Sequence, residues 1–481
     1  MAARVHSGHA QPGRPACIRP PPPHPRLARE TPSPRSAGEP LPCPGEPPAD
    51  GRADAPDPAA VGFVLHLGRA LHSYGEASHR LEDMLGAMSD RLGLRGAQFF
   101  TQPTSIMASF GPVERQRTHM LRVQPGDVNL GKLAAVEGVS RDVAQGRISP
   151  EEGTARIARI GDAPPPYGPA FTTVGFAGIS GATCQLLGGG GREIAVATVL
   201  GLGVRLVALL AARHARLGRV FEPLAAFLVS AAAVALAHLA GPLSVLVVTL
   251  AGLIVLLPGL TLTTALSELA SRQLASGTAR LSGAFISFLS LGFGVALGNR
   301  LAAAVFGAPA LTDPTPLGGW PRVAALLLSP LCSIMILRAA PRDAPWIIVA
   351  SILGAVAGGR GAAALGPELG AFAGGFVVAL AANAYARWRR RPPAVVMVPA
   401  ILLLVPGSIG FRSLNALMER QALAGIETAF SMMLTAVALV AGLLIAGAIA
   451  PEPRLRSAAD AEPAFRGPFR RRRPIRRRKP E

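Results

Sequence analysis

From about residue 170 to residue 450 the chain passes repeatedly through stretches of about 17 to 22 residues with almost no charge, each long enough to cross ~30 Å of hydrocarbon. In lipid every backbone polar group needs a partner within the chain, so apolar segments of this length are helices. Ten are expected, near 170 to 188, 193 to 211, 221 to 240, 242 to 258, 281 to 303, 322 to 338, 344 to 364, 367 to 386, 394 to 410 and 427 to 449. The expected fold class is therefore mainly α, a polytopic membrane protein. Only 16% of the residues are charged, against about 25% in a typical soluble domain, which excludes an ordinary soluble enzyme. Glycine and alanine are frequent in the spans, as where membrane helices pack closely.

Three segments flank or precede the spans. Residues 1–57 are dense in Pro, Gly, Arg and Ser, a composition expected to stay disordered, and they lack the apolar core of a secretory signal. Residues 58–165 read as a small α/β domain. Leu67, Leu71, Tyr74, Ser78, Leu81, Leu85, Met88 and Leu92 recur every three or four residues, which predicts one long helix. LRGAQFF, TSIMASF and THMLRV read as strands, and two helices follow, the second announced by Ser149-Pro150-Glu151-Glu152. Residues 451–481 form a polybasic tail with nine basic residues between Arg466 and Lys479, a large part of the net charge of +19. A basic stretch trailing a membrane domain suits anionic lipid headgroups better than nucleic acid. Cys17, Cys43, Cys184 and Cys332 form no CxxC pair, so neither a metal site nor a disulfide framework is indicated.

Arginine placement gives an orientation. With a cytoplasmic N-terminus, the inner loops carry Arg213, Arg216, Arg219, Arg272, Arg280, Arg338, Arg342, Arg387, Arg389, Arg390 and Arg391. The outer loops carry only Arg192, Arg300, Arg322, Arg360, Arg412 and Arg420, so both termini are expected in the cytoplasm.

The chain also repeats itself. VLLPGLTLTTALSELASRQLASG aligns without gaps on LLVPGSIGFRSLNALMERQALAG, with Pro258 on Pro406, Gly259 on Gly407, Leu266 on Leu414, Leu269 on Leu417, Arg272 on Arg420, Gln273 on Gln421 and Gly277 on Gly425. The offset is 148 residues, 258 to 406. Five spans in each half, 166–310 and 311–450, make the second copy enter from the opposite side, the inverted arrangement of many alternating-access carriers. Pro-Gly after an apolar run interrupts the helix, and freed peptide groups survive there only beside protein or water. Thr261, Thr263, Thr264, Ser267 and Glu268 follow the first break, and Ser408, Ser413 and Asn415 the second. The expected substrate-binding set is Pro258, Gly259, Thr261, Thr263, Ser267, Glu268, Pro406, Gly407, Ser408 and Asn415. The plainer reading is that Pro-Gly ends a span and an amphipathic stretch lies at the interface.

Other ionisable residues carry two readings each. Arg205, inside the second span, is either functional or a side chain whose stem reaches the headgroups. Glu268 is the candidate for proton coupling, against a solvated interfacial acid. His238 and Asn383 suit local structural roles. His72, Glu76, His79 and Asp83, at spacings of four, three and four, could hold a divalent metal or an acid/base pair if helical, yet such a side is also where a surface helix carries charge. No nucleophile elbow, HExxH or phosphate-cradling GxxxxGK[ST] is present.

Taken together, LHSYGEASHRLEDML, QFFTQPTSIMASF and DVNLGKLAAVEGVSRDVAQGRISPEEG, followed by spans carrying LLPG and LVPG at equivalent places, resemble the threonine/serine exporter family over about residues 60 to 450. The resemblance implies a plasma-membrane secondary carrier that expels threonine and serine using the proton gradient, with no cofactor, and it leaves room for a homo-oligomer. Hydrolase-like features ascribed to the family's soluble domain bring Arg80, Glu82, Pro103, Thr104, Asp127 and Lys132 into view, without an assembled catalytic group. A membrane-anchored hydrolase acting on small peptides or amino-acid derivatives is the alternative, and a channel or carrier for another small polar solute a third.

Overall fold

The computed structural model describes residues 56–451 apart from 125, 240, 311 and 313. The leader up to residue 55, the polybasic tail beyond 451, Cys17 and Cys43 lie outside the described residues. The first described element is helix α1 (Pro58–Ser73), begun by Asp57, whose carboxylate accepts from the Ala59 N–H at 3.0 Å, with Pro58 in the first turn. Its stripe of Phe63, Val64, Leu67 and Leu71 is fully buried. The single long helix expected here is interrupted: Gly75 takes φ +97°, a conformation a side chain would oppose, and α2 (Ser78–Arg91) starts afresh.

Strands β1 (Gln98–Gln102), β2 (Ser105–Phe110) and β3 (Arg117–Arg122) form an antiparallel meander in the order β1-β2-β3. The expected α/β arrangement is therefore α+β. Gln102 pairs with Ser105 across a two-residue turn, too short for the crossover a parallel pair requires. Ile106, Ala108 and Phe110 turn to the buried face. Helices α3 (Leu130–Ala144) and α4 (Pro150–Asp162) complete the layer. At α4 the expected start signal operates as read, with Ser149 Oγ accepting from the Glu152 N–H at 3.3 Å. The apolar core continues without interruption from Phe63 and Leu133 through Ile334 and Ile347 to Val396.

The remaining chain is helical: α5 (Pro169–Leu186), α6 (Gly191–Arg213), the short α7 (Ala215–Gly218), α8 (Phe221–Leu239), α9 (Val245–Gly252), α10 (Gly259–Ala270), α11 (Leu274–Phe306), α12 (Trp320–Ile336), α13 (Ala344–Leu365), α14 (Pro367–Arg389), α15 (Ala394–Ile401), α16 (Gly407–Met418) and α17 (Ala422–Ile449). Among the described residues α6, α8, α11, α13 with its preceding turn, α14 and α17 are long and apolar enough to cross a membrane. The chain is a multi-pass membrane protein. α5 and α12 are shorter or less apolar, and the spans expected near 242 to 258 and 394 to 410 are helical only over the short α9 and α15, which stop before the Pro-Gly steps that precede α10 and α16.

Packing repeats between the halves. α8 lies on α11 as α14 lies on α17, and α10 lies on α11 as α16 lies on α17. Glycine sets the closeness of the first pair. A Cβ on Gly294 of α11 would strike the Pro223 carbonyl and come within 2.8 Å of Ala226 Cβ; a Cβ on Gly442 of α17 would strike the Phe372 carbonyl and come within 2.9 Å of the Phe376 nitrogen. These two glycines are again 148 residues apart, 294 to 442. Gly294→Leu or Gly442→Leu should therefore force the helices apart and lower stability by about 1–3 kcal/mol. Gly283→Ala, where nothing lies within 4 Å, should not. The melting midpoint in detergent measures both.

Candidate functional site

Both Pro-Gly steps fall between helices. α9 ends at Gly252, residues 253–257 turn without helix, and Pro258 precedes α10; α15 ends at Ile401 and Pro406 precedes α16. Proline suits the entry to a first turn because it lacks the N–H that would go unpaired there. Pro258 and Pro406 adopt the same backbone, φ −77° and −79°, ψ 36° and 30°. The two steps touch. A methyl on Gly259 would lie 3.4 Å from Gly407 Cα and collide with Val405 Cγ1, while one on Gly407 would lie 3.5 Å from Gly259 Cα and from Leu257 Cβ.

From this contact the two half-helices diverge. α10 packs on α11 and α17, and α16 on α17 and α11. Phe411 of α16 is 1% exposed. The far ends of α10 and α16 carry the same termination, a Schellman motif. Gln273 N–H donates to Glu268 O at 2.8 Å and Gln421 N–H to Ala416 O at 2.9 Å, with Arg272 and Arg420 at φ 64° and 65°. A non-glycine residue there costs about 1–2 kcal/mol; a cation at a helix C-terminus recovers part of that. The return into the next helix needs glycine, since a Cβ on Gly277 would sit 2.7 Å from Leu269 Cγ and one on Gly425 2.5 Å from Leu417 Cγ.

Of the residues expected to line the site, Pro258, Gly259, Pro406 and Gly407 meet at this junction and are buried. The side chains closing on it are apolar, Leu257 and Val405 among them. Thr263 is buried and donates to Gly259 O at 3.1 Å, and Ser413 ties α16 to α17 by donating to Gly425 O at 2.7 Å. Ser267, Thr264 and Ser408 are half-buried and Thr261 is exposed. Asn415 donates to the Glu419 carboxylate at 2.8 Å, away from the junction.

Glu268 stands nine residues beyond Gly259, about 14 Å along α10. Although fully buried, it is completely partnered. It accepts from the Ser78 N–H at 3.0 Å, Ser276 Oγ at 2.8 Å and Arg280 Nε at 3.1 Å. Ser78 is the first residue of α2, whose N-terminus favours the negative charge. Alongside, Gln273 Nε2 donates to Glu82 at 2.6 Å, and the same carboxylate accepts from Thr101 N–H and Oγ1 at 2.7 and 2.8 Å. The α10–α11 turn is therefore bolted to α2, and through Glu82 to β1. Further along that face Leu130 and Gly131 N–H groups donate to Leu337 and Arg338 carbonyls, and buried Asp343 receives Arg391 at 2.6 Å and Tyr385 Oη at 2.9 Å. Sequence reasoning missed these contacts: Arg338 and Arg391 registered only as topological charges.

The other candidates separate. With the helix broken at Gly75, His72 belongs to α1, Glu76 to the turn, and His79 and Asp83 to α2, so the four do not share one helical side. Glu76 pairs with Arg80 at 3.0 Å. Glu82 faces Thr101 and Gln273, the Pro103 carbonyl faces His72, the Thr104 carbonyl accepts from Val123 N–H, Asp127 pairs with Arg338 at 3.6 Å and Lys132 Nζ donates to Gly161 O. The six hydrolase-like positions thus serve separate local contacts. Arg205 lays its guanidinium 5.4 Å from the Phe176 ring centre. His238 bonds the Val234 carbonyl four residues back, and Asn383 donates to the Ala450 carbonyl at the end of α17.

A family model described as "Putative threonine/serine exporter" matches residues 62–302, and a second, "Threonine/Serine exporter, ThrE", matches residues 327–449. The chain is similar to the Pheromone-regulated membrane protein 10 of Pichia sorbitophila, 28% identical over 73% of this chain and 36% of the relative. It is 29% identical to that of Saccharomyces cerevisiae, over 74% and 47%, and 33% identical to that of Kluyveromyces lactis, over 51% and 26%. The chain spans less than half the length of these curated relatives. No solved structure matches.

The docked face should be acid-sensitive. Burial holds the His72 pKa below its ordinary 6.5; the nearby Arg280 charge acts the same way, while the Pro103 carbonyl and Glu268 oppose it. A lowered native pKa means the unfolded chain binds the proton first, so this contribution is intact above about pH 6.5 and is lost as pH falls below it. His72→Gln should flatten the drop in melting midpoint between about pH 7.5 and 5.5.

Proposed function

The chain belongs to the threonine/serine exporter family, and from that premise we propose that it exports threonine and serine across the plasma membrane as a proton-coupled secondary transporter. Two inverted five-helix halves alternate access around the paired Pro-Gly steps. The first half is α5, α6, α8, α9 with α10, and α11; the second is α12, α13, α14, α15 with α16, and α17.

The observation that carries the reading is the contact of Gly259 with Gly407 at the meeting of two interrupted helices. Interrupted helices at mid-depth are where carriers of inverted-repeat architecture expose peptide groups and helix N-termini to substrate and ions. Inversion is supported by where the half-helices end. α10 finishes beside Ser276, at the start of α11, whereas Glu419 just beyond α16 shares a cavity with Asn299 near the end of α11. The 33-residue α11 is about 50 Å long, so the two ends approach opposite faces. A shared side for both termini is supported by Arg387, which donates to Pro451 O beyond α17, and by Arg141 of the N-terminal domain, which donates to Arg390 O just after α14. Arg338 and Arg390 meet the N-terminal elements on that side, which supports a cytoplasmic face under the positive-inside rule.

Glu268 supplies a route for the proton. Its carboxylate binds Arg280, Ser276 and the Ser78 N–H together, so it ties α10 and α11 to α2. The domain then acts as an inner gate on the α10–α11 turn.

In proteoliposomes, an imposed pH difference should drive labelled serine or threonine across the bilayer. Glu268→Gln should abolish that response while leaving exchange of labelled for unlabelled substrate at equal pH. Wild-type protein that moves neither amino acid would reject the exporter reading. Gly259→Ala should stop exchange, whereas Gly407→Ala, which meets only contacts of ordinary length at 3.5 Å, should retain it.

A further inference from the structure

Beyond the Pro-Gly junction a cavity of about 360 Å³ lies among α8, α9, α11 and α16, bounded in part by Thr249, Asn299, Arg300, Asn415 and Glu419. We infer that it binds the whole zwitterion of a β-hydroxy amino acid, with Thr249 reading the substrate hydroxyl; the inference rests on the exporter reading and gives it a site.

Thr249 is the first reason. It is 1% exposed, and its Oγ1 has no hydrogen-bond partner. Thr198, Thr263, Ser333 and Ser351 satisfy their hydroxyls by donating four residues back, whereas Thr249, like Ser89, Ser180 and Thr435, does not. An unpaired buried hydroxyl costs about 1–3 kcal/mol, a cost that a bound hydroxyl would remove. Of the described side-chain atoms left in this condition, it is the one on the wall of this cavity.

Charge is the second. Arg300 and Glu419 give the wall one cation and one anion, the pair that a carboxylate and an ammonium group require together. Asn415 fixes the Glu419 carboxylate through its 2.8 Å bond. Asn299 and Ser230 Oγ are hydrogen-bonded at 2.7 Å, which holds the amide against the wall. A net-neutral wall suits a zwitterion over a simple anion or cation.

Position is the third. Thr249 lies on the half-helix before the first break and Asn415 on the half-helix after the second, so any movement of the halves about Gly259 and Gly407 changes the distance between them. The volume falls at the small end of ligand sites, about 300–1,000 Å³.

The test uses full-length protein in proteoliposomes, with serine and, as the analogue lacking the hydroxyl, alanine competing for labelled threonine exchange. Thr249→Val, nearly isosteric, should reduce the preference for serine over alanine about tenfold or more, and Thr249→Ser should restore it. Glu419→Gln and Arg300→Met should weaken both competitors together, because they hold groups common to both. A second readout is the rise in melting midpoint with added serine, present in wild type and absent in Thr249→Val. Equal weakening of serine and alanine by Thr249→Val, or no change in either, overturns the assignment. Serine-induced stabilisation lost in Thr249→Val from a wild-type protein that does not transport would sink the exporter reading and leave the site standing.

Discussion

The architecture depends on closing a backbone problem at the centre of the membrane part. A helix interrupted among apolar neighbours leaves carbonyl and N–H groups that lipid cannot satisfy. Here each interruption is covered by the other: Gly259 and Gly407 come within van der Waals contact, Leu257 and Val405 close over them, and Thr263 donates to the Gly259 carbonyl.

Glycine carries this logic outward. Gly294 and Gly442 let α11 and α17 lie against α8 and α14, and Gly277 and Gly425 let the half-helices fold back on the helices that follow. Each pair is separated by the same 148 residues as the prolines. Dense glycine contacts give close, smooth helix faces with few interlocking side chains. Such faces suit a membrane fold whose cohesion comes from van der Waals packing.

The N-terminal domain is joined to this assembly by both an apolar core and buried polar bonds. Glu268, Arg280, Ser78 and Ser276 form one cluster, and Glu82 with Gln273 another, both at the α10–α11 turn. Buried charges of this kind destabilise strongly if one partner is removed, by about 3–5 kcal/mol.

The sequence by itself determined the class of molecule, the helical character of the spans, the position of both interruptions and the internal repeat. Those follow from local chemistry: uncharged runs must be helical in lipid, and a proline suits the entry to a new helix, as before α10 and α16, although the preceding helices already end at Gly252 and Ile401. Ser149-Pro150 likewise fixed the start of α4. Tertiary structure alone decided what the interruptions face. Glu268 looked like a residue of the break because it is close in sequence, yet one helical rise per residue carries it to the domain interface. The long N-terminal helix failed at Gly75 because an apolar period of 3.6 can continue through a turn that realigns two helices on the same core. Thr249 carried no sequence signal, since a lone threonine in an apolar run is ordinary until its neighbours are known to leave its hydroxyl unpaired beside a cavity.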